Sequence, residues 1–266
     1  MSTRSARAAA ALTFLALGLA TSAGDAAAGR NARAAAAPSR ESTGAAVKNW
    51  RQLGRVLRPR NTVTLARAHR FTSIDVGKLN AHRATLGQRP LRALILDVDE
   101  TMAPHHGRIS AANKEHIRAL VAQGITVGIY SNARDDATPG RAEDFAELRT
   151  MGVYIAGEHV AAKPNRAGFD EVTRGLIAHA HAQGHTLAAD EVAMVGDNYM
   201  TDGGAIQAGL AFVKVRPVKT DERPFRRPMG TLLKRSFQRA TRAYASAAAL
   251  AWDRVSGRTR PLQLDR

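Results

Sequence analysis

An apolar run, Leu94-Ile95-Leu96, ends abruptly in Asp97-Val98-Asp99-Glu100-Thr101 and then breaks at Pro104 and Gly107. A short, unbroken apolar run followed by a polar loop is the pattern of a strand buried on both faces, as in a parallel sheet. Side chains alternate along such a strand, but the chain is already turning when Asp97 and Asp99 arrive, so both can converge on one ligand. Neighbouring carboxylates repel each other, and a hard, oxygen-loving cation such as Mg²⁺ relieves that repulsion. Taken alone, the same residues also describe a strand running into an ordinary acidic turn, since Asp is a common turn residue.

Downstream segments repeat the pattern. Strands are expected over 91–97, 125–130, 153–156, 192–195 and 210–215. Between them lie helices: one capped by Ser110 and running to Gln123, then 141–150, 166–181 and a helical turn over 201–208. Strands alternating with helices imply an α/β fold with a doubly wound, mostly parallel sheet, which places ligands at the carboxyl ends of its strands. Those ends carry Asp97 and Asp99, then Ser131-Asn132, then Lys163-Pro164, then Asp197-Asn198 followed by Thr201-Asp202.

This set suits phosphoryl transfer. Asp97 is the expected nucleophile, forming an aspartyl-phosphate. Asp99 is the expected general acid and base, protonating the leaving alcohol and then activating water. Ser131 and the backbone N–H of Asn132 would bind phosphoryl oxygens, and Lys163 would offset the charge on the transferring group. Asp97, Asp99 and Asp197 are the expected Mg²⁺ ligands, with Asp202 behind them orienting a metal-bound water or Lys163.

The ordered motifs DVDET, IYSN, AKP and GDNYMTD resemble those of the haloacid dehalogenase superfamily of phosphatases. Within it the chain is similar to subclass IIIA, the YqeG-like and phosphatidylglycerophosphate phosphatase-like proteins. The likeness runs over the lead-in Phe71-Thr72-Ser73-Ile74-Asp75, the turn Met151-Gly152-Val153-Tyr154, and the small residues Gly203-Gly204 and Ala208-Gly209. It implies the superfamily's Rossmannoid fold. Glu100 stands where that group usually has Asn, a departure expected to leave the chemistry intact. The intervals between motifs are filled by core helices and one strand, so no cap domain of either type is expected. A capless site suits a phosphate on a large or surface-presented molecule.

Charge narrows the partner. The net charge of +16 is uneven: residues 1–90 hold 15 Lys and Arg against 3 Asp and Glu, 91–217 hold 12 against 16, and 218–266 hold 12 against 4. Basic flanks around an acidic centre suit a polyanion, either anionic lipid or nucleic acid; solvated basic tails are the bland alternative. The absence of cysteine excludes disulfides, thiolate zinc sites and a cysteine nucleophile.

Residues 1–24 have the basic start and short apolar centre of a signal peptide or targeting segment, too short for a spanning helix. Export or membrane association is the favoured expectation, with an organellar or cytoplasmic location as alternatives. Residues 25–60 form an Ala- and Arg-rich linker and basic lead-in, 61–220 the phosphatase domain, and 221–266 a basic amphipathic tail. In that tail Leu233, Phe237, Ala240, Tyr244, Ala248, Ala251 and Val255 recur at helical spacing, with Lys234, Arg235, Arg239 and Arg242 mostly to one side. The tail either lies on a membrane or packs on the sheet with its arginines in solvent. Trp50, Trp252 and Tyr244 read as packing residues, His105 and His106 as a solvated loop pair, and His179, His181 and His185 as structural or surface residues.

The expected function is a Mg²⁺-dependent phosphomonoesterase acting on a phosphorylated substrate, with a membrane-associated phospholipid such as phosphatidylglycerophosphate in the lead. A nucleotide or polynucleotide phosphatase and a non-catalytic polyanion-binding protein are the alternatives. The oligomeric state is not set by any of these features.

Overall fold

The computed structural model describes residues 54, 58–105, 107–132, 140–218, 229–255 and 259–265. The expectations for residues 1–24, for most of 25–60 including Trp50, and for His106 fall outside the described residues.

Among the described residues, seven strands form one parallel sheet: β1 (Ala66–Ala68), β2 (Ala93–Leu96), β3 (Thr126–Ile129), β4 (Tyr154–Ile155), β5 (Val192–Gly196), β6 (Ala211–Val215) and β7 (Leu262–Gln263). Their order across the sheet is β4-β3-β2-β5-β6-β1-β7. The helices are α1 (Val76–Thr85), α2 (Ala111–Ala122), α3 (Arg141–Thr150), α4 (Arg166–Ala182), α5 (Gly204–Gln207) and α6 (Met229–Val255). The expected α/β, doubly wound, parallel arrangement is therefore present. One described helix, α2, lies between β2 and β3, and one, α3, between β3 and β4.

Alternation along the buried strands sorts the core into two layers. Leu94 and Leu96 of β2 pack with Val127 and Ile129, and with Leu79 of α1, Ile117 and Leu120 of α2, and Phe145 and Leu148 of α3. Ala93 and Ile95 point the other way and pack with Met194, Phe212, Phe169, Val172 and Leu176 of α4, and Ala245 and Ala249 of α6. Each layer thus covers one face of the sheet, which is why its strands are apolar throughout rather than alternating.

Capping fixes where the helices begin. Asp75 accepts the Lys78 N–H at 3.0 Å, Ser110 the Asn113 N–H at 3.3 Å, and Asn165 the Ala167 N–H at 3.0 Å.

Of the face expected for α6, the side chains of Leu233, Phe237 and Val255 lie outside the described residues, Ala248 is buried, and the rest of the described buried face is shifted. Its buried residues are Thr241, Ala245, Ala248 and Ala249, whereas Ala240 and Ala251 are exposed and Tyr244 is half-buried. Small side chains at Ala245 and Ala249 let this part of the helix approach the sheet closely. Further on, Leu262 and Gln263 pair with Ala66 and Arg67 of β1, and Asp253 meets Arg67 at 2.7 Å. The stretch read as a basic tail therefore contributes a strand and a packed helix. No described helix is long and apolar enough to cross a membrane.

Strand register determines the site. Leu96 lies opposite both Ile129 of β3 and Val195 of β5, so the loops after β2, β3 and β5 leave the sheet at one level. The chain runs outward through β3 and β4 and then returns to β5 on the other side of β2. That reversal makes the carboxyl end of β2 a topological switch point.

Candidate active site

Asp97 follows β2 directly, and its backbone N–H donates to Val195 O at 3.0 Å. The next residues wind into a tight loop in which Val98 O accepts the N–H groups of Thr101, Met102 and Ala103. This winding separates the two acids of the first motif. Asp97 is 6% exposed and faces Lys163, whose Nζ lies 2.5 Å from its Oδ1, while Thr101 Oγ1 donates to its Oδ2 at 3.4 Å. Asp99 is directed to a different cation: Arg141 Nη2 donates to its Oδ1 at 3.1 Å and to Gly107 O at 2.7 Å.

Lys163 arrives on the loop after β4 and bridges two acids, since the same Nζ lies 2.7 Å from Asp202 Oδ1. Asn132 positions it from the loop after β3. Its Nδ2 donates to Lys163 O at 3.1 Å and its Oδ1 accepts the Lys163 N–H at 2.8 Å. Lys163 also sits 5.6 Å from the ring centroid of Tyr130, whose hydroxyl bonds Ala161 O.

On the β5 side, Asn198 O accepts the Asp202 N–H at 2.8 Å and the Asn198 N–H donates to Asp202 Oδ2 at 3.0 Å, folding Asp202 back over the strand end. Gly196 is needed for this: a Cβ there would stand 2.3 Å from Asp202 Oδ2.

Asp97, Asp197 and Asp202 each bring a carboxylate oxygen within 4.8 Å of the others, and all three are buried. Asp99 is not one of this cluster. Ser131 lies at the end of β3 and lines a cavity of about 110 Å³ with Tyr130, Asn132, Phe145, Ile155 and Glu158 among others. Of the predicted site residues only Ser131 and Asn132 line this cavity; the acidic cluster does not.

The electrostatics reflect a shortage of positive charge. Burial, followed by repulsion from Asp202, pushes the Asp97 carboxyl up to about 7 against the pull of Lys163. Burial, Asp202 and Asp97 hold Asp197 well above the usual carboxylate range. Burial alone would lower Lys163, but Asp202 and Asp97 outweigh it and raise it. Lys214, behind the cluster, is lowered by burial although Asp197 and Asp202 pull it up.

Asp197 Oδ2 is buried and has no hydrogen-bond partner among the described residues. A buried carboxylate oxygen without a donor is costly, and three converging hard oxygen donors suit a divalent cation of the Mg²⁺ or Ca²⁺ type. The residues present therefore fit a metal ion.

Arg141 and Arg242 carry no signal in the motifs, and Glu100, a departure within the first motif, carries none of its pairing. Arg141 opens α3 and looks like an ordinary surface helix residue, yet its side chain is fully buried beneath Asp99. Glu100 holds a left-handed backbone, φ 62°, and pairs with Arg242. Arg242 comes from α6, and its Nη1 also lies 3.7 Å from Asp197 Oδ2. Only contact across 142 positions of sequence brings Arg242 to Glu100, so neither spacing nor periodicity could reveal it. His179 is half-buried and bonds Gly152 O at 2.8 Å through Nε2.

The profile of the family described as mitochondrial PGP phosphatase matches residues 52–210. Among solved structures, an uncharacterized protein from Corynebacterium glutamicum ATCC 13032 Kitasato is 24% identical, with 54% of this chain and 93% of that one covered at a TM-score of 0.34. A haloacid dehalogenase-like hydrolase from Brucella suis 1330 is 12% identical, covering 48% of this chain and 90% of its own at a TM-score of 0.34. No curated protein matches the chain.

Proposed function

The chain belongs to the mitochondrial PGP phosphatase family, and from that premise we propose that it is a Mg²⁺-dependent phosphomonoesterase working through an aspartyl-phosphate at Asp97. The observation that carries this reading is the cation bridge: Lys163 reaches Asp97 at 2.5 Å and Asp202 at 2.7 Å, beside an Asp197 oxygen that has no donor of its own.

A carboxylate oxygen of Asp97 attacks phosphorus and the bond to the leaving alcohol breaks; water then releases phosphate from Asp97. Asp99, more exposed than Asp97 and fixed by Arg141, protonates the departing alcohol and later takes a proton from the attacking water. Ser131 and the Asn132 N–H bind phosphoryl oxygens, while Lys163 offsets charge on the transferring group and is itself held by Asp202. Asp97 and Asp197, with Asp202 beside them, would hold Mg²⁺, which would neutralise negative charge on the phosphoryl group, while Asp99, turned to Arg141, is left to the acid–base role.

The substrate we assign is a membrane-associated phospholipid monoester such as phosphatidylglycerophosphate. It is supported by the family description, by the short intervals between motifs and by the basic flanks. The same description favours an organellar setting over export for residues 1–24.

A substrate panel tests this reading: phosphatidylglycerophosphate in vesicles, 5′-phosphorylated oligonucleotides and small sugar phosphates, each with and without Mg²⁺. Release of phosphate from the vesicles alone is the expected result. Preference for oligonucleotides would move the assignment to a polynucleotide phosphatase, and salt-sensitive binding without turnover would make the protein a polyanion-binding relative.

A further inference from the structure

Of the described cations paired with acids around the site, Lys163 is 2% exposed and Arg141 is fully buried, whereas the side chain of Arg242 retains 32% exposure. Lys163 is already shared between two carboxylates, and Arg141 is committed to Asp99 and Gly107 O. A phosphomonoester entering from solvent carries about two negative charges into a crevice that already holds Asp97, Asp197 and Asp202. A cation that can reach it from the solvent side has to be one that is not walled in, and Arg242 meets that condition.

Its position follows from the packing of α6. Arg242 precedes Ala245 and Ala249 by three and seven positions, so it lies on the helix face that packs against the sheet. Glu100 holds it there. Glu100 is the described non-glycine residue with positive φ, a conformation that a residue with a β-carbon rarely adopts. Two backbone bonds maintain it: Glu100 N–H to Ala103 O at 2.7 Å, and Val218 N–H to Glu100 O at 2.7 Å. Its carboxylate, placed by that backbone, pairs with the Arg242 guanidinium. The same guanidinium stands 3.7 Å from Asp197 Oδ2, too far to satisfy it by a hydrogen bond but near enough to face the same ligand. A guanidinium offers several donors in a planar fork suited to phosphate, and only Nη1 is used on Glu100.

We propose that Arg242 is a substrate-phosphate anchor delivered by the C-terminal helix, parked on Glu100 in the free protein and transferred to the phosphoryl oxygens when substrate arrives. The inference rests on the phosphatase reading above. It gives α6 a share of the site: the helix brings a second cation, more exposed than Lys163, to within 3.7 Å of Asp197.

The experiment uses the full chain with Mg²⁺ and two readouts, calorimetric binding of inorganic phosphate and steady-state hydrolysis of an aryl phosphate. Arg242→Ala is expected to weaken phosphate binding and raise KM by about tenfold or more, with Arg242→Lys recovering part of the loss. Glu100→Gln, which frees the guanidinium without removing it, is expected to tighten phosphate binding severalfold. That gain should vanish in the Glu100→Gln/Arg242→Ala double variant if Glu100 acts through Arg242.

Unchanged phosphate affinity and KM in Arg242→Ala would overturn the inference. So would a gain from Glu100→Gln that persists in the double variant. Tighter Mg²⁺ binding with faster turnover in Arg242→Ala would also overturn it, because Arg242 would then be a plug competing with the metal. Should Arg242→Ala fold poorly, the Glu100→Gln and Arg242→Lys variants decide alone, since they preserve the helix and its charge. Asp97→Asn separates the two levels of argument: turnover surviving in that variant would sink the mechanism, while the phosphate-binding comparison would still judge Arg242.

Discussion

Asp144 on α3 and Asp97 at the end of β2 are both buried carboxylates with cations beside them, and they titrate in opposite directions. Asp144 accepts from Arg108 Nε at 3.0 Å and Nη2 at 2.7 Å, from Ile109 N–H at 3.0 Å, and has Lys114 Nζ at 2.8 Å. Burial pushes it up, but those bonds from Arg108, Lys114 and Ile109 win and hold it below the usual range. Asp97 has Lys163, which it shares with Asp202, and a long bond from Thr101. A carboxylate with its donors supplied is part of the scaffold, tying α3 to the loop before α2. Carboxylates left short of donors in the same protein, Asp97, Asp197 and Asp202, form a cluster that could hold a cation.

The largest expected effect is chemical. Asp97→Asn keeps the size of the side chain but removes the attacking oxygen anion, and phosphate release should fall by at least about a thousandfold. Asp144→Asn should leave turnover close to normal in the folded fraction. Aryl phosphate hydrolysis by the two variants side by side measures this contrast, and comparable losses in both would dissolve the distinction between scaffold and site.

Next in size is the cation bridge. Lys163→Met, studied with a chelator present, leaves Asp97 and Asp202 buried without their partner and should cost about 3–5 kcal/mol. That is a large share of the stability of an ordinary domain. Urea unfolding, or soluble yield if the variant fails to fold, reads it.

Removing one acid should work in opposite senses at the two places. Asp144→Asn loses charge-assisted bonds to groups that stay behind, and should destabilise by about 3 kcal/mol. Asp197→Asn in chelator removes a repelling charge whose Oδ2 has no donor, and should stabilise by about 1 kcal/mol. Added Mg²⁺ should raise the midpoint of the wild type and not that of Asp197→Asn, since binding to the folded state alone contributes about 2.7 kcal/mol at a hundred times Kd. A loss of stability from both substitutions would remove the comparison's basis.

Acidity sharpens the same contrast. Asp97 titrates near 7 in the folded protein against 3.8 unfolded, so between those values the native state holds more protons and stability falls as pH rises. Asp144 is depressed below 3.8, so its contribution is complete above that value and is lost as pH falls through its lower native value. Melting temperature against pH, in chelator, should therefore lose part of its decline towards pH 7 in Asp97→Asn and part of its acid collapse in Asp144→Asn.

The motif-bearing half of the site was legible in sequence because each of its residues follows a strand whose apolar run ends abruptly. Observed β2, β3, β5 and β6 lie inside or within one residue of the expected runs, α3 has its expected bounds, and Ser110 caps α2. β1 and β7 were missed for a physical reason: Ala66–Ala68 and Leu262–Gln263 are too short to show alternation, and become strands through pairing with β6 and with each other. Arg141 and Arg242 were illegible for a related one. Arginine at a helical position reads as solvated surface, and only tertiary contact with Asp99, Glu100 and Asp197 gives either residue another meaning.

The smallest effect is the most discriminating, because it uses the same residue type as the second. Lys114 touches Asp144 as Lys163 touches Asp97, and it also pairs with Glu147. Asp144 keeps Arg108 and the Ile109 N–H when Lys114 is lost, and Lys114 does not bridge two fully buried acids, because Glu147 is 43% exposed. Lys114→Met should therefore cost only about 1 kcal/mol, a shift of a few degrees in melting temperature. The cost of losing a lysine is then set by how many donors its acid retains. A Lys114→Met penalty matching that of Lys163→Met would mean instead that burial alone sets the cost, and that the shortage of donors around Asp97 and Asp197 has no special standing.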